Sequence, residues 1–178
     1  MSTMAIFKAT YTKSSAGAKA SIRYIQHRPG KEGAKITRTL FGWDGAMGRY
    51  EAYRVIDEAA KGSLFFRFVI SPDPKMEDTG KDLFLREITA QTMLRLEDRL
   101  QRQVQWVAAE HNDHAPHRHV HVVAIVPRRL QVQDLQLLRL AATDEALEQR
   151  RQRDLANEQQ AKVQERQERE EAQWERGY

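Results

Sequence analysis

Apolar positions in the first 140 residues come in short runs whose spacing switches between about two and three to four. That switching is expected when strands and helices interleave along a chain. Residues 4–12 (MAIFKATYT) alternate well enough for a strand, with Ile6, Ala9 and Tyr11 turned inward. Residues 16–28 read as a helix that Pro29-Gly30 stops. A β-prone run follows at 35–41, then a helix over 45–61 closed by Gly62. Residues 63–71 (SLFFRFVIS) form the most apolar strand of the first half, ended by Pro72-Asp73-Pro74. Leu83, Ile88, Met93, Leu96 and Leu100 recur at near-helical spacing, which predicts a long amphipathic helix over 81–102. Two strands, 103–109 and 117–126, are then joined through Asn112-Asp113-His114-Ala115-Pro116, a loop of five residues and a workable hairpin length. Strands interleaved with helices around a central hairpin predict an α+β fold: a mainly antiparallel sheet with helices packed on it.

Beyond Pro127 the chain stays helix-prone but loses core formers. Leu135, Leu137, Leu138 and Leu140 can dock one turn on the domain. From Thr143 onward only Leu147, Leu155, Val163 and Trp174 are large and apolar, at spacings that sustain no heptad. The division predicted is a domain over 1–140 and a charged helical extension over 141–178, solvated and partly frayed.

Composition narrows the class. A chain of 178 residues holds one domain with a real core. It contains no cysteine, which excludes disulfides and thiolate metal sites and fits a reducing compartment. The N-terminus has no signal-like apolar run, and no stretch is long enough to span a membrane, so a cytoplasmic protein without membrane partners is expected. The formal charge of +4 is unevenly spread. Residues 1–38 carry eight Lys or Arg against the single acid Glu32, whereas residues 128–178 hold ten bases and eleven acids. The basic N-terminal region suits a polyphosphate partner.

Five of the six histidines fall at His111, His114, His117, His119 and His121. Strand alternation puts His117, His119 and His121 on one face and sends Val120 and Val122 into a core. A five-residue loop would set His111 opposite His117, Ala109 opposite His119 and Val107 opposite His121, so that His111 shares the histidine face. Neutral imidazoles converging from adjacent strands make a metal site. Parity does not choose between 111/117/119 and 111/119/121. Asp113 is a candidate acceptor for a ligand N–H, and equally a residue of an Asx turn.

The arrangement of His111, seven residues, His119, one residue and His121, closed by Val-Val-Ala-Ile-Val, resembles the metal motif of HUH endonucleases, specifically mobilisation relaxases of the MobA/MobL type. The segment Ala18-Lys19-Ala20-Ser21-Ile22-Arg23-Tyr24-Ile25-Gln26 is similar to that family's first helix. The two motifs stand in the family's order, and the resemblance covers roughly residues 4–127. It implies His111, His119 and His121 as ligands of a divalent ion, Mg²⁺ or Mn²⁺, with His117 a neighbour. It implies Tyr24 as the nucleophile and a 5′-phosphotyrosyl intermediate in nicking and strand transfer at a transfer origin, where accessory relaxosome proteins can assist. Lys19, Arg23 and Arg28 flank Tyr24 as candidate phosphate contacts. One departure is Phe65-Phe66-Arg67-Phe68, where some relatives carry carboxylates, leaving Asp113 or Glu110 to support the metal. Rolling-circle initiators and transposases share the histidines but usually place the tyrosine downstream. A non-catalytic, metal-stabilised DNA-binding module is the reading from a different class.

Overall fold

The computed structural model describes residues 5–112 and 117–177, without the side chain of Ile6. The expected orientation of Ile6 therefore lies outside the described residues. The described residues form six strands and four α-helices in the order β1 (Ile6–Thr12), α1 (Ser15–His27), β2 (Leu40–Gly42), β3 (Gly45–Met47), α2 (Arg49–Asp57), β4 (Leu64–Ser71), α3 (Leu85–Leu100), β5 (Trp106–His111), β6 (His119–Val126) and α4 (Val132–Arg176). One sheet takes them all, in the order β1-β4-β6-β5-β2-β3, with every recorded pairing antiparallel. The fold is α+β, as the spacing pattern predicts.

Each face of the sheet buries its own core. Phe66, Phe68, Ile70, Val120, Val122 and Ala124 pack against Ile88, Met93 and Leu96 of α3 and Leu138, Ala142 and Ala146 of α4. Phe65, Val107, Ala109 and Val123 face the other way, against Ile22 and Ile25 of α1 and Ala52 and Ile56 of α2. A two-residue period therefore sorts one strand's side chains between two helical layers. Ala9 packs against the first core as expected, whereas Tyr11 is 36% exposed, its ring stacked on Phe66 with centroids 5.1 Å apart.

Three expectations are corrected. The run at 35–41 and the helix at 45–61 resolve into the short β2–β3 hairpin followed by a nine-residue α2. Gly45, at φ +96°, and Gly42, where a Cβ would lie 2.9 Å from the Trp106 carbonyl, are what that hairpin requires, so Gly45 turns a hairpin where the spacing predicts the start of a helix. The loop between the histidine strands runs from 112 to 118, so His111 pairs with His119 and Ala109 with His121. That is a shift of two residues from the five-residue-loop register, and it keeps every side chain on its face. Residue 140 falls inside α4, whose buried positions continue through Thr143, Ala146, Gln149 and Arg150. Thr143 Oγ1 accepts the Ala5 amide at 2.9 Å, and Gln149 Oε1 accepts the Phe84 amide at 2.7 Å, so the packed part of the helix extends well past the expected division. No helix among the described residues is long and apolar enough to cross a membrane.

A candidate metal centre beside a basic groove

His111 ends β5 and His119 and His121 open β6, all on the face covered by α1. Their ring centroids lie 4.5–5.2 Å apart, and one ring nitrogen from each falls within 4.8 Å of the others. These three can hold a metal ion. His117, the alternative member, is not in the group.

The second nitrogen of two rings is spoken for. His111 Nε2 donates to the Ile25 carbonyl at 2.7 Å, and His119 Nδ1 donates to the His117 carbonyl at 3.1 Å. Each bond fixes a tautomer and leaves the opposite nitrogen with its lone pair. His111 Nδ1 and His121 Nε2 are buried without a hydrogen-bond partner, an arrangement that costs stability unless something accepts those lone pairs. Burial lowers the His121 proton affinity to about 3, helped by the positive fields of its histidine neighbours, Arg28 and Arg38. Burial likewise lowers His111 to about 4, against the opposing pull of the Ile25 carbonyl. Both imidazoles are neutral at pH 7, the form a metal requires. Two neutral imidazoles with unpartnered nitrogens, converging with the ring of His119, fit a divalent ion.

The carboxylate expected to support the ligands is not at the site among the described residues. Glu110 sits opposite Val120, a residue of the α3–α4 core, and pairs with Arg86 of α3 at 3.6 Å. Asp113 lies outside the described residues. Main-chain carbonyls take the orienting role here. One of them, Ile25, belongs to the last turn of α1, where carbonyls have no helical partner. Neighbouring carbonyls there are also taken: Arg28 N donates to Tyr24 O, Arg38 N to Gln26 O, and the Arg38 guanidinium to Arg28 O.

Tyr24 is 54% exposed on α1, one residue before the carbonyl that holds His111. It lines a groove of about 500 Å³ between α1 and the sheet, together with His121, Lys8, Thr10, Ser21 and Arg67. Arg28 stands over the Tyr24 ring at 5.9 Å. Arg23 is exposed, whereas Lys19 pairs with Asp57 of α2 and leans on Tyr53, away from the groove. The sequence reading missed Lys8 and Arg67. An arginine alone within the aromatic strand 65–68 was the available signal for Arg67. In the sheet β4 lies between β1 and β6 and contributes Arg67 from that position.

No protein-family model, curated protein or solved structure matches this chain.

Proposed function

We propose that this protein is a metal-dependent, tyrosine-mediated nickase of single-stranded DNA of the HUH relaxase kind, acting at a transfer origin. The observation that carries the reading is the shared groove: the phenol of Tyr24 and the unpartnered ring of His121 line one basic cleft. His111, His119 and His121 would hold the ion. A bound divalent ion would polarise the phosphoryl oxygens of the scissile group. Three imidazoles hold first-row transition ions more tightly than Mg²⁺, which prefers oxygen donors, so Mn²⁺ is favoured over Mg²⁺.

The chain's own residues supply the rest. Lys8 and Arg67 on the sheet and Arg28 at the end of α1 neutralise the backbone phosphates that enter the groove. Tyr24 Oη attacks the phosphorus, an O–P bond forms, and the P–O3′ bond breaks. The phenolic proton ends on the departing 3′-oxygen, so the product is a 5′-phosphotyrosyl link and a free 3′-hydroxyl. Exchange of one phosphodiester for another preserves bond energy for religation.

A second reading, a metal-stabilised DNA-binding module without chemistry, is favoured by one observation: no carboxylate joins the triad among the described residues. A covalent product separates the two. Protein loaded with Mn²⁺ is incubated with a random-sequence single-stranded DNA pool labelled at its 3′ end, then run on a denaturing protein gel. The expected outcome is a labelled adduct that disappears in Tyr24→Phe, with metal and DNA binding retained. DNA binding without any adduct would leave the binding module standing, and an adduct surviving in Tyr24→Phe would remove Tyr24 from its role.

A further inference from the structure

Arg118 stands between His117 and His119, and its side chain turns to the loop between β4 and α3. Its Nε meets Asp78 Oδ2 at 2.8 Å, and one terminal nitrogen meets Asp78 Oδ1 at 3.0 Å and the Leu83 carbonyl at 2.7 Å. Asp78 is 4% exposed, and its Oδ1 also accepts the Leu83 amide at 3.2 Å. On the main-chain side, Ser71 Oγ donates to the Arg118 carbonyl at 3.1 Å. The loop is itself anchored, since Arg150 of α4 reaches Asp82 at 2.9 Å and Thr79 at 3.2 Å.

We propose that the Asp78–Arg118 pair is a positioning device for the metal centre: it fixes the His117 carbonyl, which selects the tautomer and aim of the His119 ring. The proposal rests on the metal-binding part of the reading above, and not on nicking. The His117 carbonyl and the Arg118 nitrogen share one planar peptide unit. Holding Arg118 by its guanidinium and by its own carbonyl therefore leaves that plane little freedom to rotate. The plane delivers its oxygen to His119 Nδ1 at 3.1 Å. Such an acceptor is a carboxylate, a backbone carbonyl or a water touching the ring. Here the carboxylate acts one step removed, through an arginine and a peptide. A bidentate guanidinium fork supplies direction as well as charge, which a lysine cannot reproduce. Arg150 adds a consequence at longer range, because α4 braces the loop that braces the ligand.

The test is titration of Co²⁺ into metal-free protein, following affinity by calorimetry and ligand geometry by the visible Co²⁺ absorption. Asp78→Asn and Arg118→Lys are compared with wild type at a temperature where circular dichroism shows each metal-free variant folded. Both should weaken Co²⁺ binding about 10- to 100-fold, the usual effect of losing an outer partner of a ligand, and alter the absorption band. If Asp78→Asn does not fold, Arg118→Lys, which keeps the charge, decides alone. Variants that lose thermal stability yet bind Co²⁺ with wild-type affinity and spectrum would make the pair purely structural and overturn the proposal. Wild-type protein that binds no Co²⁺, or a His119→Ala protein that binds it as wild type does, would instead overturn the metal reading on which the proposal stands.

Discussion

At the residue scale, the histidine face was legible because strand parity is robust to a register error. The loop has seven residues where five are expected, and a slip of two moves each partner while preserving each face. What parity could not reveal was which nitrogen of each ring is tied down, since that depends on carbonyls contributed by α1 and by the loop. Two predictions belong here. His117 offers the site a main-chain oxygen and its side chain lies outside the histidine triad, so His117→Ala should weaken Mn²⁺ binding less than His119→Ala, as read by calorimetry. An equal loss would bring His117 into the ligand set. The second concerns pH. His111 and His121 bind protons more weakly in the folded, metal-free protein than in the unfolded chain, where the ordinary value is near 6.5. Their contribution is complete above pH 6.5 and is lost as pH falls toward about 4 and 3. For His111 alone the loss is of order 3 kcal/mol. Thermal unfolding of the metal-free protein between pH 7 and 4 should show a steep fall in Tm that is shallower in His121→Ala. Parallel slopes in the two proteins would count against a buried neutral His121.

At the scale of elements, strong apolar runs such as β4 and β6 stood out, whereas β2 and β3 did not. Each is three residues long, and the pair depends on the turn at Gly45 and on the close backbone approach at Gly42, which spacing cannot register. The loop between β4 and α3 was equally opaque, since its order comes from side chains folding back on their own backbone. Glu77 is the clearest case. It is fully buried, its Oε2 accepts the Asp73 amide at 2.7 Å, and its Oε1 has no partner. Burial lifts its carboxyl to about 7, opposed by that amide and reinforced by the charge of Asp73. A raised carboxyl stabilises the fold below its unfolded pKa, and that stability is lost as pH rises through 7. Glu77→Gln keeps the amide acceptor and removes the ionisation. It should be close to neutral at pH 5 and stabilising by about 1–3 kcal/mol at pH 8.5, measured by urea denaturation. Equal destabilisation at both pH values would mean that the charged carboxylate has a partner after all.

On the whole-molecule scale, α4 links the two ends of the chain, and its role was misjudged for a physical reason. A helix poor in leucine can still be well docked when alanines bring it close and polar side chains satisfy a neighbouring backbone. Ala142 and Ala146 are fully buried, and Arg139 and Thr143 take the carbonyl and amide of Ala5. Gln149 meets Phe84, and Arg150 holds the loop beyond β4. After Arg150 the helix carries mostly exposed residues, sustained by pairs one turn apart such as Glu158–Lys162, Glu165–Arg169 and Arg166–Glu170. Such pairs contribute only about 0.3–0.5 kcal/mol each and none to the core. Two truncations therefore separate the docked part from the projecting part. A chain ending at residue 155 keeps every α4 contact with the sheet and the loop just described, so its Tm should stay close to that of the full chain. A chain ending at residue 142 loses the Ala5 acceptor, the Gln149 and Arg150 contacts and the apolar cover of Ala146. Leaving a buried amide unpaired while removing those contacts should cost on the order of 3 kcal/mol, or about 10 °C in Tm for a domain of this size. Differential scanning calorimetry of the two truncations decides it. If the chain ending at 142 melted with the full-length Tm, residues 143–150 would not contribute to the core. Because the Arg150-braced loop holds Asp78, the shorter chain should also bind Co²⁺ more weakly than the longer one, even at temperatures where both are folded.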